Sequence, residues 1–450
     1  MSGPRQPLPR RVPRGSRAPV IVQTTQLWSR VFAYLEAQRR RHGTLFTLRA
    51  PGHPPLVFIC DPNDIRAILA EPERALRPGE GAAAVSPIVG DQSFMLAHGA
   101  EHAIPRNAVL AALSGTEVTR HSPMIQSVAR RAIAAWPIDR PIALHDRLRA
   151  STLEIALRML LGRYDEDDLD EQAWKLHGAV LAMLSVTRSP VLTEAYLRSH
   201  GPGRRVWQRF LQDRRRVDAL LHALIEGRAA NAQPRGLVDV LIGVRNPDGS
   251  PSTPTQVRDN VMSILLAGHE TTAAQLTWAF QLLAHNPTAQ ETLAAEIARG
   301  GEERYLDATV REVLRHRCVF VFGIPRELAA TFSLGRQAID PPAQLLPCIY
   351  LLHHDPHRFA DPQSFAPDRF LNGNANLKDW LPWGGGRRRC PGAHLATREI
   401  KTVLAAVLST HAVEPASKRI EPPSWRSVIV TPRHGGRVVL RHRPKTNPDN

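Results

Sequence analysis

Cysteine is scarce in this 450-residue chain: Cys60, Cys318, Cys348 and Cys390 are the four, and no two form a C-x-x-C pair. That spacing argues against both a disulfide framework and a structural zinc site. Free thiols point to a reducing, cytoplasmic setting. A lone cysteine is most often a small buried hydrophobe, and Cys60, Cys318 and Cys348 take that reading. Long apolar runs are also missing. No eighteen consecutive apolar residues occur, so no membrane span is expected. The first twenty residues, MSGPRQPLPRRVPRGSRAPV, are basic and proline-rich and lack the apolar stretch of a signal peptide. There is no Gly/Ser linker and no internal repeat.

Acid is the other shortage. Asp and Glu number 42 against 58 Lys and Arg, a net charge of +16. Such an excess suits an anionic partner: nucleic acid, a membrane surface, an acidic protein or bound carboxylates. No helix-turn-helix, zinc finger or RNP-like motif supports nucleic acid, so none is expected. Runs such as Arg39-Arg40-Arg41 and Arg214-Arg215-Arg216 read as solvated helix faces. With 43% hydrophobic residues, the chain has the makings of a globular core large enough to enclose a ligand.

Periodicity predicts a helix over about 27–42, then strands in TLFTLRA and PPLVFIC separated by a Pro/Gly turn. Asp61-Pro62 opens another helix, and the Gly/Ala-rich stretch 79–93 reads as a loop. Helical patterns follow near 102–114, 119–136, 147–163, 168–187, 205–230 and 253–285. Beyond 330 the pattern turns irregular, with one strong helix after Pro391 and short strands in SVIVTP and GRVVLRHR. The expected fold is mainly α with small β-sheets, an α+β arrangement. One domain is expected over 25–442, flanked by a flexible basic segment at 1–24 and a polar tail at 443–450.

Two segments stand out. The helix near 253–285 is apolar nearly all round, as for a helix running through a core. Ser252 or Thr253 can cap it, and Asn286-Pro287 ends it. Its middle is interrupted by Gly268, Glu270, Thr271 and Thr272. A threonine hydroxyl can compete there for the carbonyl one turn earlier, that of Ala267. This is either a packed kink or a pocket with an acid and a hydroxyl facing a ligand. The second segment is Trp383-Gly-Gly-Gly-Arg-Arg-Arg-Cys-Pro-Gly392. Its glycines permit tight turns. Its cysteine precedes a helix whose N-terminal dipole favours a thiolate. A single thiolate without a second ligand at metal spacing suits haem iron better than zinc. The bland alternative is an arginine-rich loop with a chance cysteine.

The second segment resembles the haem loop F-x-x-G-x-R-x-C-x-G of the cytochrome P450 family. Gly386, Arg388, Cys390 and Gly392 match, with Trp383 in place of phenylalanine. Ala267-Gly268-His269-Glu270-Thr271-Thr272 is similar to the family's A-G-x-[D/E]-T motif. Glu312-Val313-Leu314-Arg315 matches E-x-x-R, and Phe365 to Phe370 resembles the following meander. Two departures are visible. The segment EIARGGEERYLDATV is short, and HRCVFVFG replaces the usual Pro-rich stretch after E-x-x-R.

The resemblance, over about residues 25 to 442, implies a P450 fold with a long central helix across a haem b. Cys390 would be the iron ligand, and Ala267, Gly268, Trp383, Gly386 and Gly392 would lie against the cofactor. His102, Arg106, Arg326 and Arg388 would face the haem propionates. Glu312, Arg315 and Arg369 would form a structural network. Glu270 and Thr271 would handle protons in an O2-dependent monooxygenation of a lipophilic small molecule. Phe94, Leu265, Leu266, Val319, Val321, Phe322, Ile324, Val428 and Ile429 are the pocket candidates. Electrons would come from NAD(P)H through a ferredoxin reductase and a ferredoxin docking at Arg387 and Arg389. A monomer is expected. The rival readings are peroxide-driven oxidation or oxidative coupling on the same fold, and a non-enzymatic haem or nucleic-acid binder.

Overall fold

The computed structural model describes residues 11–443, except 74, 165–167, 193–194, 229–234, 336 and 372–376. A helical body carries small sheets at its edges. The central helix, Pro254–Ala284, has 31 residues and is buried along most of its length. Thr253 caps it, accepting from the Gln256 N–H, while Gln256 accepts from the Thr253 N–H. That reciprocal pair satisfies two of the first-turn donors and fixes the start. Helix Leu144–Leu161 packs along it, and helices Gly201–Arg228 and Ala393–Leu408 also touch it.

The largest sheet runs Leu45–Leu48, Leu56–Ile59, Gln344–Pro347, Arg326–Leu328, Leu76–Arg77 across its width. The pair Leu56–Ile59 and Gln344–Pro347 is parallel and the other pairs are antiparallel. The parallel register, Leu56 beside Gln344 and Ile59 beside Pro347, brings together segments almost 290 positions apart. A second sheet joins Pro141–Ala143, Arg437–His442 and His411–Pro415. The hairpin Pro423–Arg426/Ile429–Pro432 turns through Ser427, whose φ is +53°.

Several expectations need correction. The helix near 27–42 is two, Val20–Ser29 and Val31–His42. The stretch 79–93 is not a plain loop: it holds short helical turns at Pro78–Gly81, Ala83–Val85 and Ser86–Val89. Its alanines, Ile88 and Val89 have apolar surface to bury, and Ile88 and Val89 are fully buried. Residues 11–24, expected to be flexible, are docked. The Thr47 hydroxyl donates to the Pro13 carbonyl at 2.7 Å, and Gly15 bridges to Thr47. A Cβ on Gly15 would sit 1.8 Å from the Thr47 oxygen, so only glycine allows that approach. Residues 1–10 and 444–450 lie outside the described residues.

Cys60, Cys318 and Cys348 are buried as expected, but they converge in one apolar cluster with Phe46, Phe58 and Trp278. Burial first, then neighbouring Cys348, pushes the Cys60 thiol well up. Burial likewise pushes Cys318 up to about 12. These are inert thiols.

Candidate active site

The loop before Cys390 is held by its own backbone. Gly384 N–H donates to Leu381 O, Arg389 N–H to Gly386 O, and Cys390 N–H to Trp383 O at 2.9 Å. Gly386 has φ +62°, and a Cβ there would come within 1.9 Å of the Leu69 carbonyl oxygen. The loop therefore seats on helix Pro62–Ala70 only with glycine at that position. Cys390 ends the loop, and helix Ala393–Leu408 starts three residues on. Burial raises its thiol, opposed by the Gly392 backbone N–H and by Arg389 and Arg106. Yet Cys390 keeps accessible surface, unlike the other three cysteines. A deep atom with accessible surface borders an internal cavity.

The central helix has the same property. Ala267 is exposed in the middle of an otherwise buried stretch, with Ile264, Gly268 and Thr271 partly exposed. Positions i, i+3, i+4 and i+7 share one face. That face opens onto space while the rest of the helix is packed. The Thr271 hydroxyl donates to the Ala267 carbonyl at 2.6 Å. A Cβ on Gly268 would meet only Ala156, at 3.8 Å, so protein packing does not require glycine here.

Beneath the loop lies a dry ionic network. Glu312 and Arg315 make two parallel bonds, 2.7 and 2.8 Å, and neither residue is exposed at all. Arg315 spends its remaining N–H groups on the carbonyls of His353, Pro362 and Ser364. Arg369 Nε lies 3.4 Å from Glu312. The structure brings the three expected members together.

The sequence profile described as Cytochrome P450 matches residues 12–440. The chain belongs to the cytochrome P450 family. It is 30% identical over 438 residues to the protein named cytochrome P450 135B1 of Mycobacterium tuberculosis, covering 96% of this chain and 91% of that one. It is also 30% identical over 440 residues to cytochrome P450 135A1 of the same species, covering 95% of each. Among solved structures, the retinoic acid-bound cyanobacterial CYP120A1 superposes with TM-score 0.81 at 18% identity, over 97% of this chain and all of that one. The cytochrome P450DA haem domain gives 0.80 at 20% identity, over 96% and 98%. At those identities the two structures establish the fold.

Family membership implies haem and O2, and the cavity's donors fit a haem dianion. Arg326 is buried, and no carboxylate lies within salt-bridge distance of it among the described residues. The one hydrogen bond of its guanidinium among the described residues goes to Ile324 O at 2.7 Å. Burial lowers it to about 10. A buried guanidinium without a counter-ion is costly, and a propionate would supply one. Arg106 donates to Arg389 O and likewise has no carboxylate partner among the described residues. His102 Nδ1 bonds Phe94 O at 2.8 Å, while its buried Nε2 has no partner.

Arg388 differs from the expectation. Its Nε is paired with Glu73 at 2.7 Å, and its other nitrogens donate to Met95 O and Ala97 O. Burial works to raise Glu73, but the bond and charge of Arg388 hold it at about 2. Glu73 is the residue that sequence reasoning missed, because it belongs to no motif. Arg387 and Arg389 are exposed on either side of the half-buried Arg388.

The pocket candidates divide. Leu266, Phe322, Ile324 and Val428 keep accessible surface. Leu265, Val321 and Ile429 are buried in core clusters instead, so they do not line a free cavity. For Leu265 the reason is the helical step: two residues from the exposed Ala267 turn it about 200° round the helix, nearly opposite that position. Phe94 is nearly buried, its N–H held by Asn260. Glu270 also faces away from the open stripe. It is 3% exposed and bonds Arg149 Nε at 2.6 Å. Burial would raise its carboxyl, but Arg149, His269, His145 and Arg426 together hold it low.

Proposed function

We propose that this chain is a haem-thiolate monooxygenase that inserts one atom of O2 into a lipophilic small molecule, with electrons from a separate NAD(P)H–ferredoxin reductase–ferredoxin chain. Haem, when bound, supplies the oxygen-activating redox chemistry. The observation that carries the reading is Cys390, a deep cysteine with accessible surface at the head of a helix packed on the opened central helix.

The protein's share of the work follows from its own atoms. Cys390 would hold the iron; burial raises its thiol, while nearby Arg106, Arg389 and the Gly392 N–H favour the thiolate that iron would bind. Arg106, Arg326 and His102 orient an anionic cofactor edge. The Thr271 hydroxyl, parked on the Ala267 carbonyl, can turn to donate into the cavity, and the Glu270 carboxylate behind it can take up a proton and pass it on. Leu266, Phe322, Ile324 and Val428 favour an apolar substrate. Arg387 and Arg389 suit an acidic electron donor on the cysteine face. A cytoplasmic monomer fits this reading.

The test is spectroscopic. Cys390→Ser should lose the thiolate-type absorption of the reduced carbon monoxide complex, and Cys348→Ser should keep it. Retention of that band in Cys390→Ser refutes the reading.

A further inference from the structure

Around Glu270 the structure gathers buried polar atoms that lack hydrogen-bond partners. They are Glu270 Oε1, both ring nitrogens of His145, His269 Nε2, Arg149 Nη2 and Arg426 Nη1. Three elements supply them: helix Leu144–Leu161, the central helix and the hairpin strand Pro423–Arg426. Six orphaned atoms at one buried place are far from the usual pairing of buried polar groups. A polar chamber of this kind is where internal water resides.

His145 occupies the middle. It is 1% exposed, with Nε2 3.9 Å from Glu270 Oε1 and Nδ1 3.9 Å from Asp146 Oδ1. Both gaps are too long for a hydrogen bond, and either closes by a small side-chain rotation or one bridging water. Asp146 is 59% exposed and stands on the rim of a surface cleft of about 620 Å³, with Arg140, Arg147 and Ala150. The chain of groups thus runs from bulk solvent at Asp146, through His145, to Glu270, the residue before Thr271.

Among the described residues, the charged and titratable groups around His145 come from three elements. Asp146 and Arg149 come from its own helix, Glu270 and His269 from the central helix, and Arg426 from the hairpin. Arg188 reaches Asp146 from the turn Leu184–Arg188. Burial keeps the imidazole neutral at pH 7, against the pull of Asp146. A neutral imidazole has one N–H and one lone pair on opposite sides of the ring, as a relay needs.

We propose that His145, with water held among these groups, carries protons between the surface at Asp146 and the Glu270 carboxylate, a route that bypasses the substrate cavity. It rests on the reading of Glu270 as the proton-handling acid. One proton arrives from water beside Asp146 on one ring nitrogen. The other nitrogen releases one proton towards Glu270, through one water where the gap stays open. The ring is left as the opposite tautomer and resets by flipping about its Cβ–Cγ bond, which carries the new N–H round to the Glu270 side. No electrons move, and one proton is gained inside for each lost outside.

Two readouts test the relay. The first is the ¹⁵N-histidine NMR spectrum of the holoprotein in its diamagnetic reduced carbon monoxide complex. The His145 resonance should follow bulk pH, and its midpoint should move downward by several tenths of a unit in Glu270→Gln, because the Glu270 charge favours the imidazolium. A resonance indifferent to Glu270→Gln overturns the connection. The second uses NADPH, a ferredoxin and its reductase without substrate, and measures peroxide against water formed per O2 consumed. His145→Phe and His145→Gln should raise that ratio several-fold and increase the solvent deuterium effect on O2 consumption. Asp146→Asn should do the same more weakly. The imidazole-binding spectrum should be unchanged in all three, which separates a lost relay from a damaged site. Wild-type ratios in both His145 variants overturn the proposal. Absence of the thiolate-type band in the wild-type protein would instead sink the functional reading.

Discussion

Two of the buried ionic clusters, those of Glu312 with Arg315 and of Glu270 with Arg149, hold similar residues and differ in how completely they are satisfied. In the Glu312–Arg315 cluster every N–H of Arg315 has a partner, both Glu312 oxygens accept from protein groups, and of the three members just Arg369 keeps an unbonded buried nitrogen, Nε. In the Glu270–Arg149 cluster each partner keeps an unbonded atom, and His145 and His269 add three more. A fully bonded pair in a dry site has one geometry and resists change, whereas removing one partner leaves an uncompensated charge. An under-bonded cluster draws in water and lets protons and rotamers move. The first cluster fastens the meander and the approach to the cysteine loop. The second lies next to Thr271, on the open face of the central helix.

The largest expected effect is therefore at Arg315. Arg315→Ala should destabilise the protein by about 3–5 kcal/mol, the cost of stranding a buried carboxylate. Chemical denaturation followed by tryptophan fluorescence measures it. A loss below about 1 kcal/mol would mean the cluster is not dry and would erase the contrast.

Acid should weaken both clusters. Burial holds His316 and His353 at about 3 and His269 at about 4, all below the ordinary 6.5. The unfolded chain then binds more protons than the native one between those values. Stability is complete above pH 6.5 and falls as pH drops toward 3, by about 1.4 kcal/mol per pH unit for each histidine. His353 Nε2 also accepts the Leu381 N–H at 2.9 Å, a bond that protonation destroys. Denaturation midpoints from pH 7 to 4 should fall steeply, and less steeply in His353→Gln. An unaltered slope in that variant contradicts the assignment.

Glu270→Gln should be gentler on the fold, costing about 1–2 kcal/mol, because water can solvate the freed Arg149. The same variant, and Thr271→Ala, should release more peroxide per electron consumed. If Glu270→Gln destabilises as much as Arg315→Ala, the two clusters are equally dry. The smallest effect belongs to the surface. Arg387→Glu should slow reduction by an acidic ferredoxin roughly 3- to 10-fold at low salt. The difference should vanish as the screening length shortens toward ~3 Å at 1 M salt. Equal rates across a salt series would remove the docking role.

Much of this was legible in the chain itself. Glycines, a lone cysteine before a helix start and a carboxylate three positions before an arginine are local patterns whose meaning rests on backbone geometry. They located Cys390, Gly386, the Glu312–Arg315 pair and the interrupted central helix. Spacing also narrowed the start to Ser252 or Thr253, of which the structure uses Thr253, and pointed to the Thr271-to-Ala267 hydroxyl contact. It did not separate Leu265 from Leu266, since both are apolar and only packing decides which faces the open side.

What the sequence determined by itself is this local grammar and the family it belongs to, because turns, caps and helix faces depend on residues a few positions apart. Tertiary structure decided the rest. It assigned Arg388 to Glu73, 315 positions away, and docked residues 11–24 on the first sheet. It drew three scattered cysteines into one core cluster and turned Glu270 from the cavity toward Arg149 and His145. Such partnerships arise from which elements pack together, and a buried charge takes whichever partner that packing leaves within reach.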